Sequence, residues 1–190
     1  MMNIKNVMKT VSLSLFFLAS AVFAKENGYR LSADIKPLKQ LIQLTLDPDN
    51  PQFSGRTQID IQVTKPTASI GFYQSGLEVQ EAVLVNEASR LPLSLSLGDH
   101  DITYARLGHA IEPGSYTLEF RFDGKINTTS DGVYLSKFEE RNYLFTQFED
   151  MLARKAFPSF DEPSNKIPYQ ISIKAPEKHT VLSNTPVEKR

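Results

Sequence analysis

The feature that most constrains the fold of this chain is a two-residue alternation that recurs along its length. Between Thr57 and Val63, the apolar Ile59, Ile61 and Val63 alternate with Gln58, Asp60 and Gln62. Successive side chains of an extended strand point to opposite faces, so this spacing gives one packed and one wetted face. Tyr116, Leu118, Phe120 and Phe122, interleaved with Thr117, Glu119 and Arg121, repeat the pattern. Weaker strand signals cover 40–46, 69–74, 78–86, 91–97, 102–107, 132–138, 143–149 and 169–174. Between them lie reversal signals such as Asp47-Pro48-Asp49-Asn50-Pro51, Ser75-Gly76, Glu112-Pro113-Gly114, Asp123-Gly124 and Asp131-Gly132. Many short strands joined by tight turns predict an all-β domain of multi-stranded, mostly antiparallel sheets packed as a sandwich or curved double sheet.

One stretch reads as helical, from about Asp150 through Ala156. Met151, Leu152, Ala153, Arg154 and Lys155 are good helix formers, and Asp150 is placed to cap them. Pro158 stops this helix and pushes Phe157 towards extended geometry, so 159–163 is expected to be an irregular loop.

With 41% hydrophobic and 23% charged residues, the chain is too apolar to remain disordered. Its 21 basic and 22 acidic side chains nearly cancel, so no broad field draws it to nucleic acid or to an anionic membrane. The absence of cysteine excludes disulfides, thiolate metal sites and cysteine nucleophiles. Lys5 and Lys9 precede an apolar run over 11–23, and Val22 and Ala24 are placed as small residues before a cut. Residues 1–24 therefore read as a cleaved signal peptide. The run is about 13 residues where a spanning helix needs roughly 20, so no stable membrane anchor is expected. Residues 25–190 then form one exported domain, periplasmic or secreted.

No complete catalytic apparatus is visible. His100, His109 and His179 are scattered, and none begins an H-E-x-x-H spacing that would put two metal ligands on one helical face. They are expected to be solvated or structural, and the run Asp99-His100-Asp101 to be surface charge. Neither a G-x-S-x-G elbow nor a phosphate-cradling G-x-x-x-x-G-K is present.

The informative stretch runs over 143–163. Thr146-Gln147-Phe148-Glu149, then Ala153-Arg154, Ala156-Phe157-Pro158 and Phe160-Asp161-Glu162-Pro163, resembles the T-Q-x-E…A-R-x-A-F-P-x-F-D-E-P block of the aminopeptidase N family of zinc metallopeptidases. Gly132-Val133-Tyr134-Leu135-Ser136 and Leu182-Ser183-Asn184-Thr185-Pro186-Val187 agree with that family's G-x-Y-x-S and L-S-N-x-P-V. Departures are small: Ser159 stands where many members carry cysteine, and Leu152 where polar residues are common.

The resemblance implies a saddle-shaped β domain preceding a thermolysin-like catalytic domain, with the T-Q-x-E segment entering the active-site cleft. It implies that Gln147 lines the pocket for the substrate's first side chain and that Glu149 binds the free α-ammonium of a peptide. If the stretch through Glu149 is a strand, the two side chains project from one face, with Thr146 and Phe148 packed behind them. Arg154, Asp161 and Glu162 are expected to form internal ion pairs, with Phe157, Pro158 and Phe160 pinning their loop against the sheet. The family's G-A-M-E-N and H-E-x-x-H motifs are absent from these residues. The zinc cofactor, and a catalytic domain beyond Arg190 to hold it, are thus expected of the full-length family enzyme, and no catalytic residue or metal ligand is expected in this chain alone. The alternative is a free-standing, non-catalytic β-sandwich binding or assembly module.

Overall fold

The computed structural model describes residues 30–188, so the expected signal segment, 1–24, lies outside the described residues. Eleven strands follow in chain order. The first four are β1 (Ile35–Thr45), β2 (Gln52–Val63), β3 (Thr67–Tyr73) and β4 (Glu78–Val85). Next come β5 (Arg90–Pro92), β6 (Ser94–Leu97), β7 (Ile102–Ile111) and β8 (Gly114–Lys125). The chain then forms β9 (Gly132–Phe138), β10 (Arg141–Gln147) and, after a long loop, β11 (Tyr169–Lys174). They build a six-stranded sheet in the order β11-β1-β2-β8-β4-β5, a three-stranded sheet β3-β7-β6 and a two-stranded ribbon of β9 and β10. Every pairing is antiparallel except that of β1 with β11. The all-β architecture is the expected one, and the sheets do not close into a barrel.

The alternation acts where it is strongest. Ile59, Ile61 and Val63 are fully buried, and Leu118, Phe120 and Phe122 of β8 join them. The ladder sets Ile59 opposite Leu118 and Thr57 opposite Phe120. Two glycines make this pairing tight. Gly55 lies opposite Phe122 and Gly124 opposite Phe53, and a Cβ on either glycine would run into the facing ring. Each phenylalanine therefore folds over the strand beside it, covering backbone that a glycine leaves bare. Ile70 and Phe72 from β3, with Ala105 and Ile111 from β7, fill the other side of this core. The Phe72 and Phe120 rings meet with centroids 4.6 Å apart. Two sheets thus share one interior, as in a sandwich.

The stretch 91–97 is two strands rather than one. β5 pairs with β4 in the large sheet and β6 with β7 in the small one. The switch falls at Pro92-Leu93, where Pro92 has no N–H for a ladder and Leu93 donates instead to the Ala82 carbonyl at 2.9 Å.

The helix expected over 150–156 shrinks to one 3₁₀ turn, Ala153–Lys155, entered at Leu152 with no side-chain cap. Asp150 does not cap it. Tertiary bonds override local propensity here, because the Arg154 carbonyl accepts from Ser75 N at 2.8 Å and so is taken out of any helical ladder.

Candidate functional site

The T-Q-x-E segment stands at the end of the β9–β10 ribbon. Register places Thr146 opposite Val133 and Gln147 opposite Gly132. Gly132 opens β9 with φ +59°, and a Cβ there would press on Lys155 Cβ. A side chain would be both strained and blocked, so glycine lets the ribbon lie against the 3₁₀ turn. Lys155 closes the same junction through a 2.8 Å ion pair with Asp131. That hydrogen bond holds the Asp131 carboxyl below its ordinary range.

β10 closes at Gln147, so Glu149 is not on the strand and the same-face reasoning applies to Gln147 only. Glu149 begins a turn, and the peptide bond that follows it is cis. Phe148 is what turns both polar neighbours outward. Its ring is partly buried and meets the edge of Phe157 at 5.5 Å, while Gln147 and Glu149 on either side are exposed. Its carbonyl accepts from Leu152 N at 3.0 Å, which fixes the turn. Thr146, expected to pack behind them, is exposed as well. No hydrogen bond or ion pair among the described residues engages the side chain of Gln147 or Glu149. Glu149 does not cap the 3₁₀ turn.

Behind this exposed pair the loop is held closely, as the sequence predicts. Phe157, Pro158 and Phe160 are buried. Arg154 is only 5% exposed. Its Nε donates to Asp161 Oδ2 at 3.0 Å, its Nη2 donates to the Asp161 carbonyl at 3.0 Å, and Asp101 stands 3.7 Å away. The guanidinium also lies 4.0 Å over the Tyr73 ring. Tyr73 in turn donates its hydroxyl to Glu162 Oε1 at 2.9 Å, an oxygen that also accepts from Leu31 N at 2.8 Å. Burial first, then the bond to Glu162, pushes the Tyr73 phenol up to about 12. Tyr73 and Ser159 exchange backbone hydrogen bonds at 2.8 and 3.0 Å, stitching the loop to β3.

The arrangement offers a carboxylate and an amide, both solvent-facing and unpartnered, on a rigid base. Such a pair can bind a cation with hydrogen-bonding protons, such as an ammonium, but supplies neither a nucleophile nor a metal-bound water. One amide and one carboxylate do not make up a zinc ligand set, so Gln147 and Glu149 do not fit the family's ion.

One constellation escaped sequence reasoning. His179, expected to be solvated or structural, comes together with Asp47 and Asp49, with one ligating atom of each residue within 4.8 Å of the others. Its sequence distance of more than a hundred residues from the aspartates hid the proximity, which the parallel pairing of β11 with β1 creates. Lys178 donates to Asp49 Oδ2 at 2.8 Å and Asn142 to Asp49 Oδ1 at 3.0 Å. Those two bonds, the lysine's first, hold the Asp49 carboxyl below its ordinary range.

Comparison with known proteins agrees with the family resemblance carried by residues 143–163. Residues 29–190 match the family model described as the peptidase M1 N-terminal domain. Aminopeptidase N of Acetobacter pasteurianus is 27% identical over 196 residues, covering 98% of this chain and 54% of that protein. Endoplasmic reticulum aminopeptidase 1 of Rattus norvegicus is 30% identical over 174 residues, 86% of this chain and 19% of its own length. Aminopeptidase 2 of Candida albicans is 32% identical over 173 residues, 87% and 18% respectively. The chain thus spans about half of the first relative and about a fifth of the other two. With the match running through every strand and through the loop that carries Gln147 and Glu149, the chain belongs to the family of peptidase M1 N-terminal domains.

Proposed function

We propose that this domain is the substrate-recognition part of an exported zinc metallo-aminopeptidase, which removes amino acids from the free amino terminus of peptides. Glu149 binds the α-ammonium, Gln147 lines the pocket for the first side chain, and zinc belongs to a catalytic domain that follows Arg190. The observation that carries this reading is the contrast between two exposed, unpartnered polar ends and the buried network on which they stand. Polar groups held ready without an internal partner are what a recognition site requires, because no internal bond must break before the ligand is bound. A carboxylate so placed favours a free terminus and disfavours a blocked one, which would leave it unpaired on closure of the site.

Exposed apolar side chains favour this reading over a free-standing module. Phe138 is 65% and Leu182 88% exposed, and Phe145, Tyr169, Ile171 and Val187 are also uncovered. A domain adapted to solitary life would carry polar groups at most of these places.

The test is made on the chain joined to its zinc catalytic domain. Glu149→Ala is expected to lower kcat/KM for a peptide with a free amino terminus by about 10- to 150-fold, the equivalent of one charge-assisted hydrogen bond. Hydrolysis of the N-acetylated peptide should be unmoved, and so should both activities in the exposed control Glu177→Ala. Equal losses on free and blocked peptides would sink the recognition role. Export is tested separately, by whether the product in the source cell begins at Lys25.

A further inference from the structure

We propose that Asp47, Asp49 and His179 form a site for a divalent transition-metal ion of the zinc type, held closed by Lys178 when no ion is bound. The donor set is the first ground. Two carboxylates and an imidazole suit a borderline ion, whereas calcium and magnesium prefer oxygen ligands alone.

Geometry is the second. Metal bonds of 2.0–2.2 Å in tetrahedral coordination set ligands roughly 3.3–3.6 Å apart. The three ligating atoms already lie within 4.8 Å of one another. Both aspartates sit on one rigid turn, since Asp49 N donates to Asp47 Oδ1 at 3.0 Å and Pro48 between them fixes φ. His179 is carried by a second turn, in which its N–H donates to the Pro176 carbonyl at 2.9 Å.

The third ground distinguishes this place from an ordinary acidic surface. His179 Nε2 is shielded from solvent and makes no hydrogen bond. A ring nitrogen deprived of both water and a protein partner carries a desolvation cost that a bound ion would offset. Lys178, with its nitrogen 2.8 Å from Asp49 Oδ2, supplies one positive charge against two carboxylates, so the site retains excess negative charge without an ion. An entering ion displaces that ammonium and then ties the segment after β11 to the β1–β2 turn.

Titration calorimetry with zinc chloride on the full chain, purified without an affinity tag, tests the proposal. One saturable site is expected, together with a zinc-dependent rise in Tm. His179→Ala should abolish both and His109→Ala neither. Lys178→Met should bind zinc about fivefold more tightly, the effect of removing one unit charge some 4 Å away in a largely aqueous setting. Absence of saturable binding, equal binding in His179→Ala, or unchanged or weaker binding in Lys178→Met overturns the proposal. The melting measurement guards against misfolding, because an unfolded variant would show no transition with or without zinc.

Discussion

The β2–β8 pair and the β9–β10 ribbon are both antiparallel, yet they are held by different physics. In β2 and β8 one face of each strand is packed against the β3–β7 sheet, and the burial of Ile59, Ile61, Val63, Leu118, Phe120 and Phe122 holds the register. The ribbon has almost no such face. Val133 is buried, but Phe138, Tyr143 and Phe145 stand in solvent, and the Tyr134 and Phe145 rings stack on each other at 5.8 Å rather than on the core. What orients the ribbon is a handful of polar and conformational locks at its open end: Lys155 with Asp131, Gly132 against the 3₁₀ turn, and Arg154 beneath the loop that follows. Fold and the proposed recognition site therefore fall in separate regions. The first tolerates no loss of volume, and the second depends on single bonds.

Core truncation gives the largest expected effect. Phe122→Ala should cost about 3–5 kcal/mol, measured as a shift in urea midpoint, because it removes a fully buried ring and also uncovers Gly55. Phe138→Ala on the ribbon should cost no more than about 0.5 kcal/mol. Similar values for the two would erase the contrast. Arg154→Met comes next, at about 3 kcal/mol, since it leaves the Asp161 carboxylate and the Asp161 backbone carbonyl without their shared donor. The double variant Arg154→Met/Asp161→Asn should recover part of that loss. If it recovers none, packing and not charge pairing secures the loop.

The same contrast explains what could be read from the chain in advance. Period two is a local signal, so β2 and β8 were legible residue by residue, down to which side chains face inward. The split of 91–97 was not, because only the partners β4 and β7 decide on which sheet each half lies. Gln147 and Glu149 were singled out through a motif rather than through periodicity, and their setting was misjudged. The strand ends at Gln147, and it is Phe148 packing on Phe157 that turns both neighbours outward. Helix propensity misled over 150–156 for a related reason. Arg154 makes more contacts with β3, with the turn before β7 and with the loop after it than a short helix could offer. His179 beside Asp47 and Asp49 was beyond reach, because a parallel pairing across the length of the chain leaves no mark on local sequence.

At the ribbon's base the contrast can be sharpened with a backbone substitution. Gly132→Ala should destabilise by about 1–2 kcal/mol, since φ +59° is unfavourable to a side chain and Lys155 Cβ blocks its space. Its effect should be concentrated in β9, β10 and the 3₁₀ turn, seen as faster amide exchange there with the β2–β8 amides unchanged. Uniform acceleration across both regions would mean that the ribbon unfolds only with the core.

The smallest expected effect is the acid sensitivity of the Lys155–Asp131 lock. The Asp131 carboxyl is depressed below its ordinary value of 3.8 by the hydrogen bond from Lys155, so the folded state binds its proton less readily than the unfolded chain. The stabilisation is therefore fully present above pH 3.8 and is lost as pH falls through the lower value of the folded state. Asp131→Asn should unfold at a lower urea concentration than the wild type near neutrality, and the gap should close as the pH is lowered below that ordinary value. Both groups are only part-buried, so salt should narrow the gap as well. A gap independent of pH would assign the role of Asp131 to its turn geometry, leaving Gly132 and Arg154 to hold the ribbon that presents Gln147 and Glu149.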